Sequence, residues 1–195
     1  KMPDGGFRPA LNVQFATAVG SGLIVAADVT NAGTDAGEPG PMVETTRKNT
    51  GKTPDSVLLD GGYYTRENLR AAEEAGTKAY MPLKQEKKEL EAGTDPYAPK
   101  KNDTAEQKKL RERMKAPQAK ALYKLRGQTA EWSNAQARNW GMRQFAVRGQ
   151  EKARLVVLWF VLAHNLFRAE ALRAKQTERE MAERKAASEQ QTPGC

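Results

Sequence analysis

The chain has 195 residues and a mass of 21.5 kDa, room for one hydrophobic core with a helical appendage and too little for a second full domain. With 32 basic against 24 acidic side chains it carries a net +8 and an isoelectric point near 9.6, a balance that favours a polyanionic partner, nucleic acid first. One cysteine, Cys195, and one histidine, His164, exclude an intrachain disulfide framework and any zinc site built from thiolate and imidazole, and fit a reducing cytosol.

Mean hydropathy of −0.76 is low for a chain that buries most of itself, so part of it is expected as solvated helix or loop. The N-terminus has no apolar core of the signal-peptide kind. The longest apolar run, Leu155 to Ala163, is about half the roughly 20 residues a membrane span needs, and it reads as a buried helix.

In chain order, Leu11, Val13 and Phe15, then Leu23, Ile24, Val25 and Val29, flank Val19-Gly20-Ser21-Gly22 and predict an antiparallel hairpin. Asn31 to Pro41 has loop composition, with a short helix expected from Pro41 to about Asn49. Ser56 to Asp60 is a short apolar run ending in a carboxylate, read as a buried strand broken by Gly61-Gly62. Thr65 caps a helix from Arg66 to Ala75, Gly76 stops it, and Lys78 to Met81 is one more strand. Strand, helix and strand in so little chain imply a parallel pair joined by a crossover.

From Lys84 to Arg126 there are 13 basic and 7 acidic residues, so most of the excess charge lies in one segment. Helices are expected over about 104–115 and 117–139, with Pro117 well placed at the start of the second. The most apolar helix is predicted from Gln150 to about Arg173. Beyond it the chain is charged all round, which favours a marginal or frayed helix.

Two acids stand out. Asp60, at the C-terminal end of a buried strand and before two glycines, lies where open sheets place ligands; a turn aspartate capping Gly-Gly is the other reading. Glu131 shares a helix with Tyr123, Arg126 and Arg138, so it either holds a divalent metal beside phosphate-binding neighbours or belongs to a solvated, ion-paired face. Trp132 and Trp140 either stack on bases or pack in the core. His164 and Asn165 are read as a satisfied core or helix-end pair.

Pro3-Asp4-Gly5-Gly6-Phe7-Arg8-Pro9-Ala10-Leu11-Asn12-Val13-Gln14-Phe15-Ala16, Val25 to Ala32, Leu59-Asp60-Gly61-Gly62-Tyr63-Tyr64, Tyr123 to Glu131, Arg143 to Gly149 and Leu162 to Leu166 resemble, in that order, bacterial insertion-sequence transposases with a DDE catalytic domain. The resemblance implies an α/β fold of the ribonuclease-H-like kind: a mixed five-stranded sheet with helices on both faces. It makes Asp60 the second and Glu131 the third acid, catalytic and metal-binding, around two Mg²⁺ or Mn²⁺ ions. Tyr123, Arg126 and Arg138 take the places of residues that grip a DNA end, Arg138 where a lysine is usual. The gap from Arg126 to Glu131 is one residue longer than in the best-known form of that motif.

The resemblance also carries the partners: DNA, as element ends and target, and a homodimer, with no membrane and no small-molecule substrate, in a bacterial cytoplasm at the nucleoid. On this reading residues 1–83 are the sheet part, 84–122 a basic helical insertion, 123–173 the helical segment with the third acid and a buried helix, and 174–195 a charged, flexible tail. The family's first aspartate lies on a central strand upstream of the hairpin. Asp4, Asp28 and Asp35 do not match it, so the chain alone is expected to cut no DNA strand. The missing strand is expected to leave two sheet edges that either close on each other or leave the fold marginal. The alternative is a non-catalytic basic DNA-binding protein or transposase relic that relies on the Lys84 to Arg126 charge.

Overall fold

A computed structural model describes residues 11–31 and 39–190, with side chains as far as 187; Asp4, Asp35, Cys195 and the Pro3 to Ala10 part of the opening motif lie outside the described residues. β1 (Asn12–Thr17) and β2 (Ile24–Thr30) form the expected antiparallel hairpin, with Val13 opposite Val29 and Phe15 opposite Ala27. Its turn needs glycine twice over at Gly22. The residue has φ +70°, and a β-carbon there would sit 3.0 Å from the Arg168 side chain and 3.3 Å from Trp132.

α1 (Pro39–Thr50) lies against β2 and against α2 (Arg66–Glu74). β3 (Ser56–Leu58) pairs in parallel with β4 (Lys78–Tyr80), and the Leu59 amide extends the ladder by donating to the Tyr80 carbonyl at 2.9 Å. Between them come a 3₁₀ turn at Gly61–Tyr63 and α2, whose first turn is capped by Thr65 accepting from the Asn68 amide. Beyond β4 the chain is helical: α3 (Glu86–Glu91), which the sequence reading did not anticipate, then α4 (Ala105–Lys115), α5 (Pro117–Arg126), a π turn at Gly127–Glu131, α6 (Trp132–Asn139) and α7 (Gln150–Gln190). Thr104 and Gln107 close a reciprocal capping box on α4.

The architecture is α/β, and in three respects it differs from expectation. The buried apolar side chains form two clusters rather than one: Leu69, Met81, Leu110 and Met114 under β3 and β4, and Val29, Ala153, Val157 and Phe160 between the hairpin and α7. Among the described residues the sheet edges do not close on each other; the strands form two separate two-stranded sheets. A cavity of about 750 Å³ lies between β1 and the Ser56 to Asp60 run, with Met42 and Val43 of α1 and Leu122 and Ala130 of the later helices in its lining. Finally, the last helix passes Arg173 and runs to Gln190. It is long and apolar enough to cross a membrane by length and composition, because between Leu155 and Leu172 the only charged residues are Arg168 and Glu170.

Candidate functional site

Asp60 follows β3 by two residues. One of its carboxylate oxygens accepts the Gly61 amide at 2.5 Å and so caps the 3₁₀ turn, while the other accepts from Arg126 at 2.7 Å. The turn-capping reading holds through one oxygen of this side chain, and the other oxygen is ion-paired. Glu131 closes the π turn, and its Oε1 lies 4.0 Å from the other terminal nitrogen of Arg126. One planar guanidinium thus spans both acids and holds their nearest oxygens within about 9 Å of each other.

The π turn explains how residues five apart come to share a partner. In an unbroken α-helix, positions 126 and 131 would point about 140° apart. A π turn closes its hydrogen bonds at i→i+5, so the residues stack as i and i+4 do in an α-helix. The extra residue between Arg126 and Glu131 is the one this turn absorbs. Side chains serve the carbonyls around it: Thr129 donates to Leu125, Ser133 to Thr129 at 3.2 Å and Asn134 to Ala130 at 3.0 Å. Ser133 also bonds Thr17 at 2.8 Å, tying α6 to β1.

Tyr123 donates to the Leu59 carbonyl at 3.1 Å, beside Asp60. Burial pushes its phenol above the ordinary range; Arg126 pulls it down and the Asp60 charge pushes it further up. Arg138 is exposed in the last turn of α6, about 10 Å along the axis from Glu131. The structure therefore gathers Asp60, Tyr123, Arg126 and Glu131 and leaves Arg138 further along the same rod. A fifth contact was missed in the sequence: Tyr63 donates to Gln14 at 2.6 Å and links the two sheets at this end. Both residues stand in the quoted motifs, which was the available signal.

Asp60 and Glu131 offer hard oxygen donors and negative charge, and a cationic group already stands between them. In donor type and charge they suit Mg²⁺ or Mn²⁺. Among the described residues no three of His, Cys, Asp and Glu come together. Asp28 is elsewhere, accepting from the Val29 amide at 2.8 Å and facing Arg154 at 3.7 Å.

The remaining candidates make contacts within the chain. His164 is buried, its Nε2 3.0 Å from the Gly22 carbonyl, and Asn165 pairs with the backbone of Ile24 in both directions. Trp132 sits at the margin between His164 and the Arg168 guanidinium, and Trp140 meets Phe160 and Phe167 edge-on. In the basic segment Arg111 pairs with Asp103, Arg113 and Lys109 pair with Glu73, and Lys100 pairs with Glu89. Of these cations Arg111 and Arg113 are turned into the fold, while Lys100 and Lys109 stay exposed. Residues 1–166 match the family of transposase DDE domains; no curated protein and no solved structure matches.

Proposed function

The chain belongs to the transposase DDE domain family, and from that premise we propose that Asp60 and Glu131 are metal ligands of a ribonuclease-H-like catalytic centre that cuts and joins DNA ends. The family's members act on DNA and use divalent metals. The observation that carries the reading is the convergence of both acids on Arg126, which brings carboxylates from a strand end and a helix to one place.

Divalent ions held there would activate a water or a 3′-hydroxyl and stabilise the leaving oxygen. The chain's own residues have three tasks. Asp60 and Glu131 hold the charge. Arg126, a planar fork suited to phosphate oxygens as well as to carboxylates, grips the DNA backbone at the scissile end. Tyr123 fixes the end of β3 through the Leu59 carbonyl and presents a phenol that stays protonated. Arg138 reaches phosphates further along the duplex. Two acids facing two dications leave charge uncompensated, so turnover calls for a third carboxylate beside Asp60 and Glu131.

Mn²⁺ titration tests this. The full chain should show a saturable Mn²⁺ effect on its thermal melting that both Asp60→Ala and Glu131→Ala abolish. An unchanged response in either variant would remove that residue from the site. The second reading, a non-catalytic basic DNA binder, is favoured by the incomplete acid set among the described residues and predicts DNA binding that falls with salt and ignores Mn²⁺.

A further inference from the structure

Arg126 draws Asp60 and Glu131 together by charge, yet the two carboxylate side chains are 59% and 73% exposed. An ion pair that open to water leaves its side chains free to move. Geometry tight enough for a metal needs partners that are themselves held in place. β1 meets that condition. Phe15 packs on Phe160 with ring centres 5.6 Å apart, and Val13 joins the cluster around Val157, so the strand is fixed to the hairpin core.

Two side chains of this strand reach the two elements that carry the acids. Buried Gln14 accepts the Tyr63 phenol at 2.6 Å. Tyr63 stands in the turn that Asp60 caps: its amide donates to the Asp60 carbonyl at 3.0 Å, and its own carbonyl accepts from Asn68, a residue 1% exposed, at 2.9 Å. Three residues further on, about 10 Å along the strand, Thr17 bonds Ser133 at 2.8 Å. Ser133 gives its one proton to the Thr129 carbonyl at 3.2 Å, so Thr17 is the donor to Ser133. Thr129 lies inside the π turn that Glu131 closes, and β1 rests against that turn and α6.

We infer that β1 is the frame that aims both acids, Gln14 acting on Asp60 through Tyr63 and Thr17 acting on Glu131 through Ser133. These four are positioning residues: they set the affinity of the site through the turns they hold. One short strand therefore fixes two carboxylates that lie 71 residues apart in the chain, and each acid depends on its own hydrogen-bonded link. The inference rests on the metal-site reading of Asp60 and Glu131.

Mn²⁺ alone is the probe, its unbound fraction read from the electron paramagnetic resonance signal of the full chain well below its melting temperature. Tyr63→Phe and Thr17→Val each remove one hydroxyl, and each should weaken Mn²⁺ binding about ten-fold, the lower range for loss of a group supporting a ligand. The two losses should multiply when combined, because they act on different acids. In a Gln14→Leu background Tyr63→Phe should cost nothing further. Asn49→Ala is the matched control: it removes a 2.8 Å bond from Asn49 to the Val25 carbonyl, which also ties the hairpin to the rest of the chain but leads to neither acid. That variant should keep wild-type Mn²⁺ affinity whatever it does to the melting temperature. Wild-type binding that Tyr63→Phe and Thr17→Val leave unchanged overturns the frame and spares the metal site. An equal loss in Asn49→Ala, or an undiminished Tyr63→Phe effect in the Gln14→Leu background, overturns the frame as well. A wild-type chain that binds no Mn²⁺ removes the metal site and the frame with it.

Discussion

The Arg111 and Asp103 side chains are 5% and 8% exposed and meet at 2.6 Å. Arg111 also donates to the Pro96 carbonyl, and Asp103 accepts the Lys100 amide at 2.9 Å. Burial alone would raise the Asp103 carboxyl, but the Arg111 bond and the Lys100 amide outweigh it and hold the group below its ordinary value of 3.8. The folded pKa is therefore the lower one. The pair contributes stability above pH about 4 that fades as pH falls through 3.8 and is gone below the folded value. Asp103→Asn leaves a buried guanidinium without its counter-charge and should cost about 3–5 kcal/mol, measurable by urea unfolding at pH 7. The same variant should lose less than the wild type on acidification below pH about 4. Neither partner was singled out in the sequence, because a charge in a basic segment reads as solvated until its burial is known.

The π turn is the element on which the candidate site depends. Deleting Gln128, which is exposed within it, should convert it to an ordinary α turn, keep Arg126 beside Glu131 at i and i+4, and leave the melting temperature equal or higher. Inserting one alanine at the same place turns Glu131 by about 100° and should abolish the Mn²⁺ response while circular dichroism stays unchanged. Paired melts and titrations of the two variants separate the geometry of the turn from its stability. The one-residue excess between Arg126 and Glu131 was visible in the sequence. Its consequence was not, since nothing in Gly127-Gln128-Thr129-Ala130 distinguishes a wide turn from a frayed one until the side chains of Thr129, Ser133 and Asn134 are seen serving its carbonyls.

At the scale of the molecule, two cores and a cavity between two sheets predict that the halves unfold separately. Hydrogen exchange should show two levels of protection, one for β3, β4, α2 and α4 and another for the hairpin and the first half of α7. Leu69→Ala, at a site 2% exposed, should destabilise the first half, and Val157→Ala, at a site with no exposure, the second. Each loss should be about 2–4 kcal/mol and leave the other half untouched. A single coincident transition in both variants would show that the cavity does not uncouple the cores. The long terminal helix belongs to this scale too. Its charged second half, expected to fray beyond Arg173, is held helical to Gln190 with i,i+4 support such as Gln176 to Glu180 at 3.0 Å.

Local order came from the chain itself. Alternating apolar residues around Gly20 to Gly22 specify the hairpin, Thr65 and Thr104 specify helix starts, Pro117 the start of α5, and Asp60 and Glu131 stand out in the sequence itself, because strand period, caps and motif spacing act over a few residues. What only the tertiary structure decided was which groups face one another across longer distances: Arg126 between two acids, Tyr63 on Gln14, two cores in place of one, and a space between β1 and β3. Those outcomes depend on how helices pack on both sides of the strands, and burial there sets side-chain partners that no local pattern encodes.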